Sequence, residues 1–283
     1  MKRLIIIVSL LISIAAPAVF AQGGSALLIP ADSRALSMGG VALRPDADKM
    51  NVNLFYGSWA PKAAANTLLG GDVFFRCSDR VALTLEGRTF LDKPYEIASA
   101  QGMVKGTFRP SDLVVGLGAS IAATDFLSID IKARMFSSTI GEKEKGSAFC
   151  GDLRVGYEQE TFSVGLGARN LGSKISYGAT GYALPALAAL DGSVRPAEGL
   201  TIAAEADYLF SGALMAGLGV EYTIAEIVSL RGGFHYGDEA KALPTFASAG
   251  LGLQFGGFHF DAAFLLASKT LGNSLMFGLG YAF

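Results

Sequence analysis

The chain has 283 residues, of which 51 % are apolar, and a formal net charge of −2 at pH 7. Its mean hydropathy of +0.41 is typical of a membrane protein, yet after the N-terminal segment no apolar run approaches the ~18–20 residues of a membrane helix. The near-neutral charge argues against a nucleic-acid partner, and 36 glycines disfavour long helices. These properties predict a closed β-barrel, in which all backbone polar groups pair between strands.

Residues 1–21 have the layout of a secretory signal peptide. Lys2 and Arg3 precede an apolar run, and Val19 and Ala21 stand at the −3 and −1 positions before Gln22. We therefore expect cleavage after Ala21. A retained membrane anchor is the alternative, but the apolar run is short for a spanning helix and no charged stop follows it.

Residues 22–50 form a separate N-terminal segment, punctuated by Pro, Gly and Asp, with room for only a short helix around Asp32–Met38. This segment is either a periplasmic extension or a plug folded into the barrel lumen. Ala35, Leu36 and Met38 are apolar side chains that need burial, and this favours the plug.

Residues 51–283 are predicted to form the barrel itself. Apolar and polar residues alternate with a period of two, in segments as long as a tilted membrane strand. In "TIAAEADYLF", for example, Ile202 and Tyr208 share one face while Glu205 and Asp207 share the other. Fourteen strands are predicted, at 52–59, 65–77, 80–91, 111–123, 125–137, 147–158, 161–171, 185–195, 199–210, 213–223, 227–237, 245–255, 257–267 and 273–283.

The connections between these strands alternate between short and long, and this alternation predicts the topology. Bacterial barrels have short periplasmic turns and longer outer loops, so both ends of the barrel are expected on the periplasmic side. A fifteenth candidate strand at about 97–107 is left out, because the alternation requires residues 92–110 to be one outer-loop excursion, possibly a short hairpin. Cys77 and Cys150 then lie near opposite rims, too far apart for a disulfide, and both thiols are predicted to be free.

The two faces of the strands differ in character. Tyrosines stand near the segment ends, where the aromatic girdles of membrane barrels lie, which favours a lipid-facing barrel over a soluble sandwich. The opposite face collects charges of both signs, predicted to form a salt-bridge network in the lumen rather than an ion-selective pore. These inward positions are Glu86, Arg88, Asp130, Lys132, Arg134, Asp152, Arg154, Arg169, Glu205, Asp207, Glu221, Arg231, His235, His259 and Asp261.

No motif of the chain indicates catalysis or metal binding. His235 and His259 are its two histidines, and the spacing of Asp261 from His259 is common by chance on a strand. There is no G-x-S-x-G motif, and "SMGGVAL" lacks the Lys-Ser/Thr of a phosphate-binding loop. The sequence therefore predicts a protein that is not an enzyme and uses no cofactor or metal.

The C-terminal stretch "NSLMFGLGYAF" alternates large apolar residues with small ones. Leu275, Phe277 and Leu279 are expected to face lipid, with the small residues toward a crowded lumen. We predict that this last strand closes the barrel against the first. Tyr281 and the terminal Phe283 resemble the signal that the outer-membrane assembly machinery reads.

Several stretches also resemble a known family. They are "RALSMGG" followed by "DAD", "GTFRPSDLVVGLGAS", "GLGARNLGSKISY" with a following Leu184-Pro185, "GVEYTI…VSLRGGF" and the terminal "NSLMFGLGYAF". Together they are similar to the PorV/PorQ family of FadL-like outer-membrane barrels of Bacteroidota. The resemblance implies a fourteen-stranded barrel in the cell outer membrane, associated with type IX secretion. It implies lipid and secretion components or cargo proteins as partners, bound through outer loops at unidentified residues.

Two functions follow from these observations. The first is a non-enzymatic barrel that binds cargo or machinery at its outer face, in the manner of PorV or of a PorQ-like scaffold. The alternative is a FadL-like transporter of small hydrophobic molecules. The alternative needs an apolar lumenal pocket and a gap in the barrel wall, whereas the inward residues identified above are mostly charged or glycine.

Overall fold

The computed structural model of the chain describes residues 23–30, 32–44, 49–59, 66–238, 242–266 and 272–283. The predicted signal peptide and its cleavage position at Ala21 lie outside the described residues. Within them, no helix is long and apolar enough to span a bilayer.

The described residues form strands almost throughout. A short 3₁₀ helix (Ser25–Leu28) and one helical turn, α1 (Ser33–Ser37), precede them. The strands are β1 (Met50–Trp59), β2 (Asn66–Ser78), β3 (Val81–Leu91), β4 (Tyr95–Ala98), β5 (Val104–Phe108), β6 (Ser111–Ala122), β7 (Leu127–Thr139), β8 (Lys145–Glu158), β9 (Phe162–Gly172), β10 (Ile175–Tyr177), β11 (Thr180–Tyr182), β12 (Leu187–Ala197), β13 (Leu200–Leu209), β14 (Ala213–Ile224), β15 (Val228–Gly237), β16 (Phe246–Phe255), β17 (Phe258–Leu266) and β18 (Ser274–Ala282).

Fourteen of these strands close into one antiparallel barrel, as the alternation predicts. Its seam joins β18 to β1, with Leu279 opposite Leu54, so the last strand does close against the first. The remaining four strands form two separate hairpins, β4–β5 and β10–β11. The first confirms the outer-loop excursion at residues 92–110, whereas the second, within the loop before β12, was not predicted.

The turns define two rims. The short-turn rim carries the connections after β2, β6, β8, β12, β14 and β16, together with the start of β1 and the end of β18. The long-loop rim carries the two hairpins. One connection there, residues 210–212 between β13 and β14, is as short as a periplasmic turn. Cys77 is exposed near the short-turn rim and Cys150 is buried toward the long-loop end of β8.

The outside of the barrel is apolar and exposed. Outward positions on successive strands carry large apolar side chains, including Leu85, Leu117, Phe149 and Leu279. Tyr157, Tyr208, Tyr222 and Tyr236 are also exposed on this surface. An exterior of this kind needs lipid around it, because contiguous apolar surface on this scale is not stable in water.

The N-terminal segment, residues 23–44 as far as they are described, lies inside the barrel. The apolar residues that favoured a plug, Ala35, Leu36 and Met38, are all buried. At one end Gly23 donates to the carbonyl of Ala183 near the long-loop rim. At the other, Arg44 bonds Asp130 and Glu158 near the short-turn rim. The segment therefore runs through the length of the lumen.

Candidate functional site

The lumen encloses a cavity of about 300 Å³ between the N-terminal segment and the barrel wall. One side of it is apolar and is formed by residues of the segment and of β12, β14 and the loop after β15. The other side is charged and is formed by β3, β7, β8, β9 and β13. The apolar lining includes Leu27, Leu28, Ile29, Leu187, Ala189, Met215 and Leu243.

Ion pairs between strands occupy most of the charged side. Lys132 on β7 donates to Glu86 on β3 at 2.6 Å, across the intervening strand β6. Arg134, almost fully buried, bonds both carboxylate oxygens of Asp152 on the adjacent strand β8. This is the predicted salt-bridge network, and it joins both adjacent strands and strands one apart, because long side chains reach over inward glycines such as Gly116.

The network continues around the wall through two further arginines. Arg154 makes a bidentate pair with Asp191 on β12, at 2.8 and 2.6 Å, and also reaches Asp130 at 3.1 Å. Arg169 on β9 donates to Oε1 of Glu205 on β13 at 2.5 Å. Bidentate guanidinium–carboxylate pairs hold both partners in one orientation, so this side of the cavity is a fixed wall.

A kink in β9 completes the wall. Asn170 adopts a left-handed backbone conformation with φ of 58°, and the register between β8 and β9 shifts at this point. Its backbone N–H donates to Asp152 and its side-chain oxygen accepts from Arg134 at 2.8 Å. An asparagine tolerates this conformation better than other side chains, and here it satisfies two buried charged groups.

A second ionic group holds the N-terminal segment to the barrel. Arg34 makes a bidentate pair with Glu221 on β14, at 2.9 and 2.6 Å. Glu221 also accepts from Arg231 at 2.5 Å, and Arg231 bonds Asp261. We call Arg34, Glu221, Arg231 and Asp261 the latch.

The turn α1 begins beside this latch. The carboxylate of Asp32 accepts from the N–H of Ala35 at 2.7 Å and so caps the first turn. Burial in the lumen raises the pKa of the Asp32 carboxyl above its usual value, although the Ala35 N–H and the charge of Arg34 act in the opposite direction.

The segment packs on a part of the wall that has almost no side chains. A methyl group placed on Gly233 would collide with the backbone of Met38 and Gly39. Further contacts of this kind occur at Gly250 against Ser37 and at Gly278 against Ser33. The residues of this glycine wall are Gly217, Gly219, Gly233, Gly250 and Gly278.

The two histidines lie apart in the lumen. His235 on β15 stacks on Phe246, with ring centroids 4.8 Å apart, and lines the cavity. His259 on β17 hydrogen-bonds Asn53 of β1 at 2.6 Å. Among the residues that the structure describes, no group of three or more His, Cys, Asp or Glu side chains could hold a metal ion.

One sequence-based interpretation was wrong. The inward residues are not mostly charged or glycine, because the part of the lumen next to the long-loop rim is filled by apolar side chains. They include Trp59, Leu68, Phe90, Val114, Phe136, Leu209, Phe246, Leu265 and Met276, which pack around Leu27 and Leu36. The period of two could have indicated these inward apolar residues, because Phe136 lies two residues after Arg134 and four after Lys132, on the same inward face of β7. This apolar part of the lumen is packed, so the apolar side of the cavity is what meets the transporter alternative's requirement of a lumenal apolar pocket.

The second requirement of that alternative was a gap in the wall. Every described barrel strand is hydrogen-bonded to a neighbour on each side, so the described part of the wall has no gap between strands. A shallow external groove between β3, β6, β7 and β8, lined by Leu85, Leu117, Met135 and Phe149, faces the lipid.

Comparison with solved structures finds the same fold in outer-membrane channels. The chain superposes on CymD, a monoaromatic hydrocarbon channel, with a TM-score of 0.62 and 12 % identity over 90 % of this chain and 98 % of that one. The toluene transporter TodX of Pseudomonas putida gives a TM-score of 0.60 and 12 % identity over 94 % and 96 % of the two chains. No protein-family model and no curated protein matches the chain by sequence.

The comparisons and the lipid-facing exterior both indicate a barrel that lies in a membrane. The chain folds as a FadL-like barrel of fourteen strands, which confirms the predicted fold class. Such a barrel with an apolar exterior is an outer-membrane protein, as predicted. At these identities the likeness extends to the fold and does not reach function.

Proposed function

We propose that this barrel carries small, largely apolar molecules across the outer membrane by way of its lumenal cavity. The observation that carries the proposal is the apolar side of that cavity, formed by Leu27, Ile29, Leu187, Met215 and Leu243. A volume of about 300 Å³ suits a small ligand, since a cavity of roughly 150 Å³ already accommodates benzene. The fold shared with hydrocarbon channels supports this function over a secretion role.

The two sides of the cavity would contribute differently to transport. The charged groups are largely engaged in ion pairs with one another, so they confine the path without binding an apolar molecule. The N-terminal segment lies along the cavity, held by the latch and the glycine wall, and its Leu27 and Leu36 pack into the apolar cluster that fills the lumen next to the long-loop rim. Passage would therefore require the segment to move, and we propose that it acts as the gate.

The test is a paired substitution at neighbouring positions of β12. Ala189 is buried and lines the cavity, whereas Leu190 is exposed on the lipid face. Ala189→Phe should fill the cavity and lower the uptake of ethylbenzene into proteoliposomes at least about tenfold, because the added ring occupies the space of the ligand. Leu190→Phe adds a ring of similar size outside the barrel and should leave uptake unchanged.

Two results would contradict this function. One is that the wild-type chain takes up ethylbenzene no faster than protein-free liposomes. The other is that Ala189→Phe, shown by its electrophoretic mobility to be folded, transports as well as Leu190→Phe.

A second candidate function is the one implied by the PorV/PorQ resemblance, in which secretion components or cargo proteins bind the outer face. The supporting observation is the β4–β5 hairpin, which projects from the long-loop rim with Tyr95, Met103 and Val104 exposed. Exposed apolar side chains on such a loop suit protein contacts.

Copurification from native outer membranes tests this second function. Secretion components or cargo should be recovered with the wild-type chain and lost with Met103→Ser and Val104→Ser together. The matched control is Leu113→Ser, which removes an exposed apolar residue from the barrel wall near the hairpin. Recovery of no secretion component with the wild-type chain would argue against this candidate.

We also propose that the C-terminal aromatic residues direct barrel assembly. The rings of Tyr281 and Phe283 meet edge to face, with centroids 4.6 Å apart, and Phe283 donates its N–H to the carbonyl of Met50. Deletion of Phe283 should reduce the amount of folded barrel in the membrane more than it affects ligand uptake per folded molecule. Normal membrane levels of this variant would contradict the proposal.

A further inference from the structure

Five of the described side chains that line the cavity have a polar atom without a hydrogen-bond partner, and three of these side chains lie on β13 and β15. Glu205 and Asp207 on β13 and His235 on β15 line the cavity, and only 8, 7 and 6 % of their surfaces are exposed. Oε2 of Glu205, Oδ1 of Asp207 and Nε2 of His235 have no hydrogen-bond partner among the described residues. Buried polar atoms are nearly always paired, so three together point to a ligand.

The strand register brings these side chains to one place. Glu205 lies opposite Gly217 of β14, and Gly217 lies opposite His235 of β15. Gly217 has no side chain, and the space that a side chain would fill is taken by the carbonyl of Gly39 and the side chain of Val41. Asp207 is two residues further along the inward face of β13, opposite Met215.

The electrostatics of the group favour a cation. Arg169 neutralises Glu205 through Oε1 at 2.5 Å. Asp207 takes part in none of the ion pairs found among the described residues. Arg169 balances the charge of one carboxylate, so a bound cation would balance the second when both are ionised. The three groups are not spaced as metal ligands, which favours a larger organic cation over a metal ion.

We propose that Glu205 and Asp207 bind the ammonium group of a small amine, whose apolar body lies against Leu187, Met215 and Leu243. The inference rests on the proposed transport function and narrows its substrate class. An ammonium group offers three N–H donors, and two of them suit the unused oxygens of the two carboxyl groups. Gly39 and Gly40 of the N-terminal segment line the same cavity, so the bound amine would lie beside the gate.

An acidic ligand is the competing possibility, because Arg88 also lines the cavity. Its guanidinium donates to the carbonyl of Ile29 at 2.8 Å and its Nε has no partner. We favour the amine because Glu205 and Asp207 offer two unused acceptors on one strand, whereas the unused donors, Nε of Arg88 and Nε of Arg134, lie on two different strands.

A matched series of probes tests the inference with the full chain in detergent. Ethylbenzene, 2-phenylethanol, 2-phenylethylamine and phenylacetate share an aromatic body and differ in the head group. Binding is measured by calorimetry, and the cavity-filling Ala189→Phe variant provides the background from partition into micelles. We expect 2-phenylethylamine to bind the wild-type chain at least about tenfold more tightly than ethylbenzene, because charged hydrogen bonds add to apolar contact.

The substitution Asp207→Asn should abolish that preference. It keeps the size of the side chain, removes the carboxylate that would pair with the ammonium group, and is expected to fold because it brings no new charge beside Glu205. His235→Gln should reduce the preference by a smaller factor. The matched control is Asp72→Asn, which alters another lumenal carboxylate that bonds Asn53 and does not line the cavity.

The possible outcomes separate this inference from the proposed function. If ethylbenzene binds and 2-phenylethylamine binds no better, the amine site is wrong while transport of apolar molecules stands. A preference for phenylacetate would also overturn it and would indicate Arg88 as the binding group. If none of the four probes binds above the Ala189→Phe background, both proposals fail. An amine preference that survives Asp207→Asn would place the site elsewhere.

Discussion

The glycine wall lies on β14, β15, β16 and β18, whereas β3, β7, β8 and β9 carry long charged side chains at inward positions. The glycine wall lets the backbone of the N-terminal segment approach the strands, as at Gly233. The charged wall, represented by Glu86, Lys132, Arg134 and Asp152, projects into the lumen. Both use the inward half of the same alternating pattern, so one lumen holds a seated segment on one side and a cavity on the other.

Because of this difference, substitutions in the two walls should have different effects. A defect in the charged wall leaves a buried ion without its partner and should destabilise the whole barrel. A defect in the glycine wall should displace the segment and leave the barrel intact. Four substitutions test this contrast.

The largest effect is expected at Arg134. Arg134→Met removes the partner of Asp152 and of the Asn170 side chain, both of which are partly or fully buried. Breaking a buried ion pair in this way destabilises proteins by about 3–5 kcal/mol. The free energy of unfolding in urea, measured in lipid vesicles, should fall by that amount. The control is the exposed Arg195→Met, which should change the free energy of unfolding by less than about 0.5 kcal/mol. Equal effects at the two arginines would contradict a structural role for the charged wall.

The next effect is expected at Gly233. Gly233→Ala puts a methyl group into the backbone of Met38 and Gly39, and overpacking of this kind costs about 1–3 kcal/mol. Displacing the segment relieves the collision, so cleavage of the segment by added protease and ion conductance should both rise. Gly232→Ala is the matched control, because a methyl group there meets nothing within 4 Å. If both variants resist protease as the wild-type chain does, the segment does not depend on the glycine wall.

A similar but smaller effect is expected from the latch. Arg34→Gln removes the bidentate pair with Glu221 but leaves Glu221 bonded to Arg231. A hydrogen bond to a charged group contributes about 1.5–3 kcal/mol, and part of this is retained because Glu221 keeps a partner. Hydrogen exchange of the amides in α1 should become faster, while the urea midpoint of the barrel stays within error. If the urea midpoint shifted while amide exchange in α1 stayed unchanged, the latch would stabilise the barrel and not the N-terminal segment.

The smallest effect is expected at Arg44. This residue pairs with Asp130 and Glu158 near the short-turn rim, and its side chain is exposed. Exposed pairs contribute about 0–1 kcal/mol and are screened by salt. Arg44→Gln should therefore change neither the urea midpoint nor protease cleavage measurably in 0.5 M salt. A loss of stability comparable to that of Arg134→Met would show that burial does not determine the strength of these pairs.

The sequence alone determined the barrel and its faces. A period of two with strands of membrane-spanning length predicted fourteen strands, the seam between the first and the last, and most of the inward charges, although not Asp72 or Asp191. It also indicated burial of Leu36 and Met38 in the segment. These features are local, since alternation assigns a side chain to a face of its own strand.

Only the tertiary structure decided what lies opposite each inward side chain. Arg34 and Glu221 are 187 positions apart in the chain, and no periodicity relates them. The alternation also carries no information about position along the barrel axis. It therefore did not separate the apolar region of the lumen near Phe136 from the charged region near Lys132. The unpaired atoms of Glu205, Asp207 and His235 became visible only once the barrel had closed and its ion pairs had formed. The local alternation determines which face of its strand a side chain occupies. Barrel closure and the path of the N-terminal segment determine which residues that side chain contacts.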